Sequence, residues 1–313
     1  AWFSYANQVL CLVEYRNNVG VEPYYSYQTM GAENGGTVYL SDYTGQLTVS
    51  KELLSYASGV NPFSLNLVYN TAYFHKNILS NFDVCGKLGM GMHLGSGVQL
   101  DVIQHVSYYT EESTGTRYIK YRDGDGTTHF FAKDAAKDKG INDGSTYYYD
   151  EDGLGLKITE YAQGYFRMSD DRGNLWYFAN GLLIIRQDAN GNKINIHYKR
   201  GDGSTSSWYA SGSGDRIERI CQQNQGCTET TIATFVYGTD GYLTELQDAA
   251  GNKFGFTYTN LKLRYITRNG NNLVQFGLYY HPTQNIFANQ LNYLYDEESS
   301  RGIAFTYKNG RVA

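Results

Sequence analysis

Asp123, Asp125 and Thr127 stand at alternate positions with Asp134 at the twelfth, the order in which a helix-flanked loop offers oxygens to calcium. Thr128 stands where such a loop needs glycine, and Asp134 where it needs a bidentate glutamate, so a plain hairpin turn accounts better for the stretch. The histidines (His75, His93, His105, His129, His197 and His281) include no HExxH and no closely spaced pair that would mark a zinc centre. Acidic clusters at Glu111-Glu112, Asp150-Glu151-Asp152, Asp170-Asp171 and Glu297-Glu298 would suit glycoside hydrolysis only if two faced each other across a cleft. Each falls in or beside an apparent turn, where solvated carboxylates are ordinary. Neither a nucleophile elbow nor a phosphate loop is present.

Cys221 and Cys227 bracket a short polar loop and form a candidate disulfide in an oxidising compartment, or two reduced thiols otherwise. Cys11 and Cys85 pair only if their segments meet. The four cysteines lack the CxxC spacing of a metal site. Trp2, Trp176 and Trp208, with the many tyrosines, would make a sugar-binding platform on an exposed sheet; cross-strand packing suits Trp176 equally. These residues point to no catalytic centre, cofactor or metal.

The elements that carry them come from a duplication. Gly181–Tyr198 and Gly241–Tyr258 lie sixty residues apart and match at Gly181/Gly241, Leu183/Leu243, Gln187/Gln247, Asp188/Asp248, Ala189/Ala249, Gly191/Gly251, Asn192/Asn252, Lys193/Lys253 and Tyr198/Tyr258. A repeated unit of this kind buries its apolar face on its neighbours, which favours a structural role over an enzyme. After each turn Ile194, Ile196 and Tyr198, or Phe254, Phe256 and Tyr258, alternate with polar or small residues, as in a half-buried strand. Asn190-Gly191 predicts a type I′ hairpin turn with positive φ at both residues, and Asp188 and Asp248 can accept turn amides. Weaker copies surround these two. Asp171–Asn174 precedes Trp176 and Phe178, and Tyr293–Asp296 precedes Arg301-Gly302 and the alternating Ile303, Phe305 and Tyr307. The turn residues singled out are Gly173, Asn174, Asp188, Gly191, Asn192, Asp248, Gly251, Asn252 and Gly302. Gly251→Val is expected to destabilise the fold and Asn195→Ser to leave it nearly unchanged.

Composition agrees with strands and turns: of 313 residues, 31 are Tyr and 35 Gly, but only 3 Pro. Lys51–Ala57 and Phe131–Lys139 are the only short helix candidates. A net charge of −5 with scattered Lys and Arg excludes a nucleic-acid surface. The longest plain apolar run, Val9–Val13, is far too short to cross a membrane as a helix.

The unit D-x-x-G-N-x-φ-x-φ-x-Y, where φ marks an apolar residue, resembles that of the Rhs/YD-repeat family: bacterial Rhs and wall-associated proteins, insecticidal toxin-complex components and animal teneurins. Upstream stretches resemble secreted members of that family in the same order. These are Glu14–Arg16 through Tyr24–Tyr27, Tyr39–Val49, Leu65–Asn70, Gly89–Leu94 (with Met92 in place of tryptophan), Tyr121–Phe131 and Gly153–Leu156. The resemblance implies an all-β fold in which successive antiparallel β-hairpins form a curved, continuous sheet, part of a hollow β-shell. It implies three parts: a lead-in at 1–35, an opening segment of the shell with degenerate hairpins at 36–150, and YD-repeat hairpins at 151–313, cut short at the C-terminus. It further implies a non-enzymatic bacterial protein, secreted or cell-wall-associated, that encapsulates or presents a toxin or effector segment C-terminal to the shell. The family's D-P-x-G-L protease motif does not occur. The alternative is a carbohydrate-binding or adhesion module holding cell-wall polysaccharide.

Overall fold

The computed structural model describes residues 20–57, 61–71, 94, 97–139, 143–199, 216–259, 262–278, 290–308 and 311–312. Cys11, Cys85, Trp2, Trp208, His75, His93, His281 and the Gly89–His93 part of the family-like stretch lie outside them. The regular structure among the described residues is almost entirely strand. β1 (Tyr27–Gly31), β2 (Thr37–Ser41), β3 (Leu47–Tyr56), β4 (Phe63–Asn70) and β5 (Val98–Leu100) form a first antiparallel sheet in chain order. Both helix candidates are strand or turn instead. Lys51–Tyr56 belongs to β3, where a bulge between Glu52 and Leu54 lets Leu53 and Leu54 both point inward against β4. Phe131 and Ala132 end a strand and turns follow.

A second sheet takes up the rest. It begins with β6 (His105–Thr110), β7 (Arg117–Arg122), β8 (Thr128–Ala132), β9 (Thr146–Asp150), β10 (Lys157–Ala162), β11 (Tyr165–Ser169), β12 (Leu175–Ala179) and β13 (Leu182–Gln187). It continues through β14 (Lys193–Lys199), β15 (Arg216–Gln223), β16 (Thr230–Tyr237), β17 (Leu243–Asp248) and β18 (Lys253–Thr259). β19 (Lys262–Arg268), β20 (Asn271–Leu278), β21 (Leu291–Asp296) and β22 (Arg301–Ala304) complete it, and β23 (Tyr307–Lys308) and β24 (Arg311–Val312) form a separate pair. Each strand from β6 to β22 pairs antiparallel with the next, as stacked hairpins must. The sheet runs unbroken across residue 150, since β9 and β10 pair through Tyr148 and Ile158. The change of sheet falls between Leu100 and His105.

Three hairpin turns share one geometry. Asp188 Oδ1 accepts the amides of Asn190 (2.9 Å) and Asn192 (2.8 Å), and its Oδ2 accepts Asn192 Nδ2 at 2.8 Å. Asp248 does the same with Ala250, Asn252 N and Asn252 Nδ2, and Asp170 with Arg172, Asn174 N and Asn174 Nδ2. Gly173, Gly191 and Gly251 have φ of 83°, 83° and 85°. Asn190 is not among the positive-φ residues, so the expected two-residue type I′ turn is not formed. Gly191 N donates instead to Asp188 O at 3.0 Å, a β-turn followed by one left-handed glycine, which spares asparagine the strained conformation. Two-residue turns with paired positive φ occur at Asn180-Gly181 (49°, 89°) and Asn269-Gly270 (50°, 86°). Gly302 is no turn residue. It lies in β22 opposite Tyr295, and the turn before it ends on Ser300, φ 54°, with Asp296 accepting the amides of Glu298 and Ser299.

In the Asp188 and Asp248 hairpins the opposite end is held by tyrosine. Between β13 and β14 the ladder spans only Ile185–Gln187 against Lys193–Asn195, and between β17 and β18 only Glu245–Gln247 against Lys253–Gly255. Beyond these the strands splay. The Tyr198 hydroxyl donates across the gap to Leu183 O at 2.8 Å, and Tyr258 to Leu243 O at 2.6 Å. Tyr237 reaches Ile217 O at 3.0 Å and Tyr307 reaches Leu291 O at 2.6 Å in the same manner. The splay lets β6 pair with β13: Leu182 lies opposite His105, and Val106 N donates to Gly181 O at 2.8 Å. This pairing closes β6 to β13 into a ring. A Cβ on Gly181 would sit 2.3 Å from His105 Nε2 and 2.9 Å from Val106 O, so only glycine fits the closure.

The first sheet packs on the buried face of the second in one apolar cluster that includes Val49, Leu65, Tyr69, Phe178, Ile194, Ile196, Tyr198, Phe254, Phe256, Phe276 and Leu294. Each such aliphatic or aromatic side chain contributes roughly 1.5–3 kcal/mol by leaving water. Polar contacts align the layers: Leu291 N donates to Tyr69 Oη at 2.8 Å, Asn34 bonds Asp296, and Gln222 Nε2 donates to Asn61 O at 2.7 Å.

Tyr198→Phe and Tyr258→Phe should each lower stability by about 1–3 kcal/mol in chemical denaturation, because a splayed carbonyl loses its donor. Tyr43→Phe, at a side chain 68% exposed, should leave the midpoint unchanged. Equal midpoints for all three variants would refute the pinning role.

Candidate functional site

Among the described residues, the densest group of ionisable side chains gathers where the segment before β1 meets the β7–β8 turn. The stretch Asp123-Gly-Asp-Gly-Thr127 forms that turn because Asp123 Oδ1 accepts the amides of Asp125 (3.1 Å) and Gly126 (2.9 Å). Asp125 Oδ1 holds Thr127 N and Oγ1, leaving its Oδ2 to accept Val21 N at 2.6 Å. Gly20 N donates to Thr127 Oγ1 at 2.9 Å, and Tyr27 bridges Glu22 N and Gly20 O. The incoming chain is thus laid across the turn with Glu22 pointing inward.

His129, on β8 opposite Tyr121, is the centre of the group and only 2% exposed. Its Nδ1 lies 2.9 Å from Asp152 Oδ2, its Nε2 3.4 Å from Asp123 Oδ2 and 3.7 Å from Glu22 Oε1. Burial alone would depress the imidazole, but hydrogen bonds to Asp123 and Asp152 and the charges of Asp123 and Glu22 outweigh it and push it up to about 10. Burial raises the Glu22 carboxyl, and the facing His129 only partly offsets it. The calcium-type set does not converge here. Asp125 and Thr127 are committed to the turn, and Asp134 holds the amides of Ala136 and Lys137 in the next loop.

A second group joins β14 to the β15–β16 turn. His197 Nε2 is 3.0 Å from Glu229 Oε2, and Asn195 Nδ2 donates to Glu229 Oε1 (2.8 Å) and Gln223 Oε1 (3.2 Å). Asn195 is 1% exposed, a buried polar tie, so its burial argues against a silent substitution. Cys221 and Cys227 are both free: Cys221 is buried in β15, its Sγ 3.5 Å from Thr231 Oγ1, whereas Cys227 is exposed in the turn. The candidate disulfide is not formed: Cys221 lies on the strand face that carries Asn195 and His197, beside Thr231, and Cys227 stays in the exposed turn.

Of the acidic clusters, Asp152 is bound to His129, Glu298 to Asn34 and Glu111 to Thr114, while Asp150 and Asp170 are engaged by backbone. Asp150 accepts the amides of Leu154 and Leu156, and Asp170 those of Arg172 and Asn174, although both line a cleft of about 370 Å³ with Lys137 and Lys157. Trp176 is half-buried in a cleft of about 160 Å³ beside Arg186 and Phe63. Sequence spacing could not have found the Glu22–His129 group, since its members are separated by up to 130 positions and carry no motif; the buried histidine's place on an inward strand slot was the one available sign.

No family profile matches the chain, and no curated protein matches it. Among solved structures it is similar to the TcdB2–TccC3 crystal structure, with a TM-score of 0.45, 10% identity, and 91% of this chain covered. The chain spans 17% of that polypeptide's length. It is similar to the N-terminal domain of effector protein SpvB from Salmonella typhimurium strain LT2, with a TM-score of 0.41, 10% identity, and coverage of 82% of this chain and 99% of that one. It is also similar to a component of the Photorhabdus luminescens Tc holotoxin pore, with a TM-score of 0.40, 13% identity, and coverage of 91% and 16%.

Two outcomes check this geometry. Gly251→Val places a β-branched residue at φ 85° and should cost about 1–2 kcal/mol, and Asn195→Ser should cost about 1–3 kcal/mol by stranding Glu229 and Gln223. A silent Asn195→Ser in thermal denaturation would contradict the buried tie. His105 is held down to about 3 by burial, with Arg122 and Lys120 adding to it. The unfolded chain therefore takes up a proton below its ordinary 6.5 that the folded chain refuses until about 3, and stability is lost as pH falls through that window. Denaturation at pH 7 and pH 4.5 should show a smaller acid loss for His105→Gln than for the parent; an equal loss would remove His105 as a cause.

Proposed function

We propose that the chain is a non-enzymatic segment of a β-shell of the YD-repeat type, from a secreted or cell-wall-associated bacterial protein, which encapsulates or presents an effector segment C-terminal to it. The observation that carries this reading is the recurrence of one hairpin, closed by Asp188, Asp248 or Asp170 at the turn and, in the two best copies, by Tyr198 or Tyr258 at the open end. Such a unit adds strand after strand to one sheet and covers each edge with the next, which makes a wall. In this reading residues 1–35 lead in, 36–150 open the shell and 151–313 begin its repeats. Gly173, Asn174, Asp188, Gly191, Asn192, Asp248, Gly251 and Asn252 serve as turn formers and touch no substrate.

The test is limited proteolysis of the full natural polypeptide beside its C-terminal segment expressed alone. The attached segment should survive at least tenfold longer than the isolated one. Equal digestion rates would overturn encapsulation.

A further inference from the structure

We propose that Glu22, Asp123 and His129 form a binding site for a transition-series divalent cation, zinc fitting best, which clamps the segment before β1 onto the β7–β8 hairpin. One ligand atom from each residue lies within 4.8 Å of those of both others, and His129 Nε2 faces Glu22 Oε1 and Asp123 Oδ2. The two edges that meet at Nε2 measure 3.4 and 3.7 Å. A charged N–H donor draws a carboxylate to about 2.7–2.9 Å, so the contact to Asp123 is a long hydrogen bond and that to Glu22 is none. Bonds of about 2.0–2.2 Å to a tetrahedral ion would instead separate the ligand atoms by roughly 3.3–3.6 Å.

Glu22 supplies the independent sign. It is 4% exposed, and its Oε1 is fully buried with no hydrogen-bond donor among the described residues, yet it faces the imidazole. A buried carboxylate oxygen in this state is costly unless something positive meets it. The histidine is also oriented as a ligand requires. Asp152 Oδ2 lies 2.9 Å from Nδ1, which fixes the proton there and turns the Nε2 lone pair toward the two carboxylates. Asp123 is equally committed, its Oδ1 holding two turn amides while Oδ2 is left for the site. An imidazolium opposes these carboxylates with one positive charge; a dication supplies two and releases the Nε2 proton to solvent. A nitrogen ligand with only a few oxygens suits zinc and disfavours calcium, which takes six to eight oxygens.

The experiment is calorimetric titration of the chelator-treated 313-residue chain with zinc, with thermal melts in parallel. One zinc per chain should bind and raise Tm. Glu22→Gln and Asp123→Asn should each weaken binding at least tenfold, and Asp152→Asn about tenfold through the lost orientation of His129. His197→Gln should change nothing, which separates this site from the His197, Cys221 and Glu229 group. Glu22→Gln keeps the test decisive if Asp123→Asn disturbs the turn, because the Glu22 side chain supports no turn amide; an unchanged circular dichroism spectrum confirms it. No saturable zinc uptake, or uptake that survives Glu22→Gln and falls with His197→Gln, would overturn the proposal.

Discussion

The bond from a tyrosine hydroxyl to the backbone carbonyl across a splayed hairpin is the interaction on which this architecture depends. A carbonyl at that point has lost its ladder partner and is buried, so it needs a donor. Tyr198 and Tyr258 provide one while filling the adjacent inward slot with a ring. With the aspartate-held turn at the other end, each hairpin is fixed at both extremities although its own ladder covers only three pairs. The strands between are free to diverge, and a sheet whose strands diverge must curve.

That divergence has a topological consequence. At β13 the gap opened by Tyr198 is occupied by β6, which arrives from far upstream and closes the ring through Leu182 and His105. Gly181 makes the approach possible, since any side chain there would strike His105 and the Val106 carbonyl. The same glycine of the second copy, Gly241, faces the Arg216 guanidinium instead, so equivalent glycines serve closure in one repeat and simple turn geometry in the other.

The first sheet is tied to this frame through the hairpin turns as well as through apolar packing. Asp125 and Thr127 receive the incoming chain at Val21 and Gly20, Asp296 receives Asn34, and Asn192 O receives Asn61 Nδ2 at 3.5 Å. Turn carboxylates therefore do double duty, shaping the local loop and docking a remote segment. The Glu22–His129 group is the most heavily charged of these junctions, and its burial makes the joint dependent on what neutralises it.

Residues Gly181–Tyr198 and Gly241–Tyr258 by themselves determined the hairpin unit, its all-β class, the turn positions of Gly191 and Gly251 and the inward slots of Ile194, Ile196, Phe254 and Phe256. Period-2 alternation and left-handed glycine are local properties, written in a few adjacent residues. The turn type escaped because Asp188 competes for the amides that a type I′ turn would arrange differently, and Gly302 escaped because Asp296 and Ser300 made the turn without it. Lys51–Tyr56 carries helix-favouring residues, yet pairing with β4 outweighed propensity. Only tertiary structure decided that Asn195 is buried, that Cys221 lies beside Thr231 and unbonded to Cys227, that β6 closes on β13, and that Glu22 and Asp123 meet His129. Each of these depends on which distant strand becomes a neighbour, and in a stacked sheet that choice follows from the cumulative splay of many hairpins, a quantity no single segment encodes.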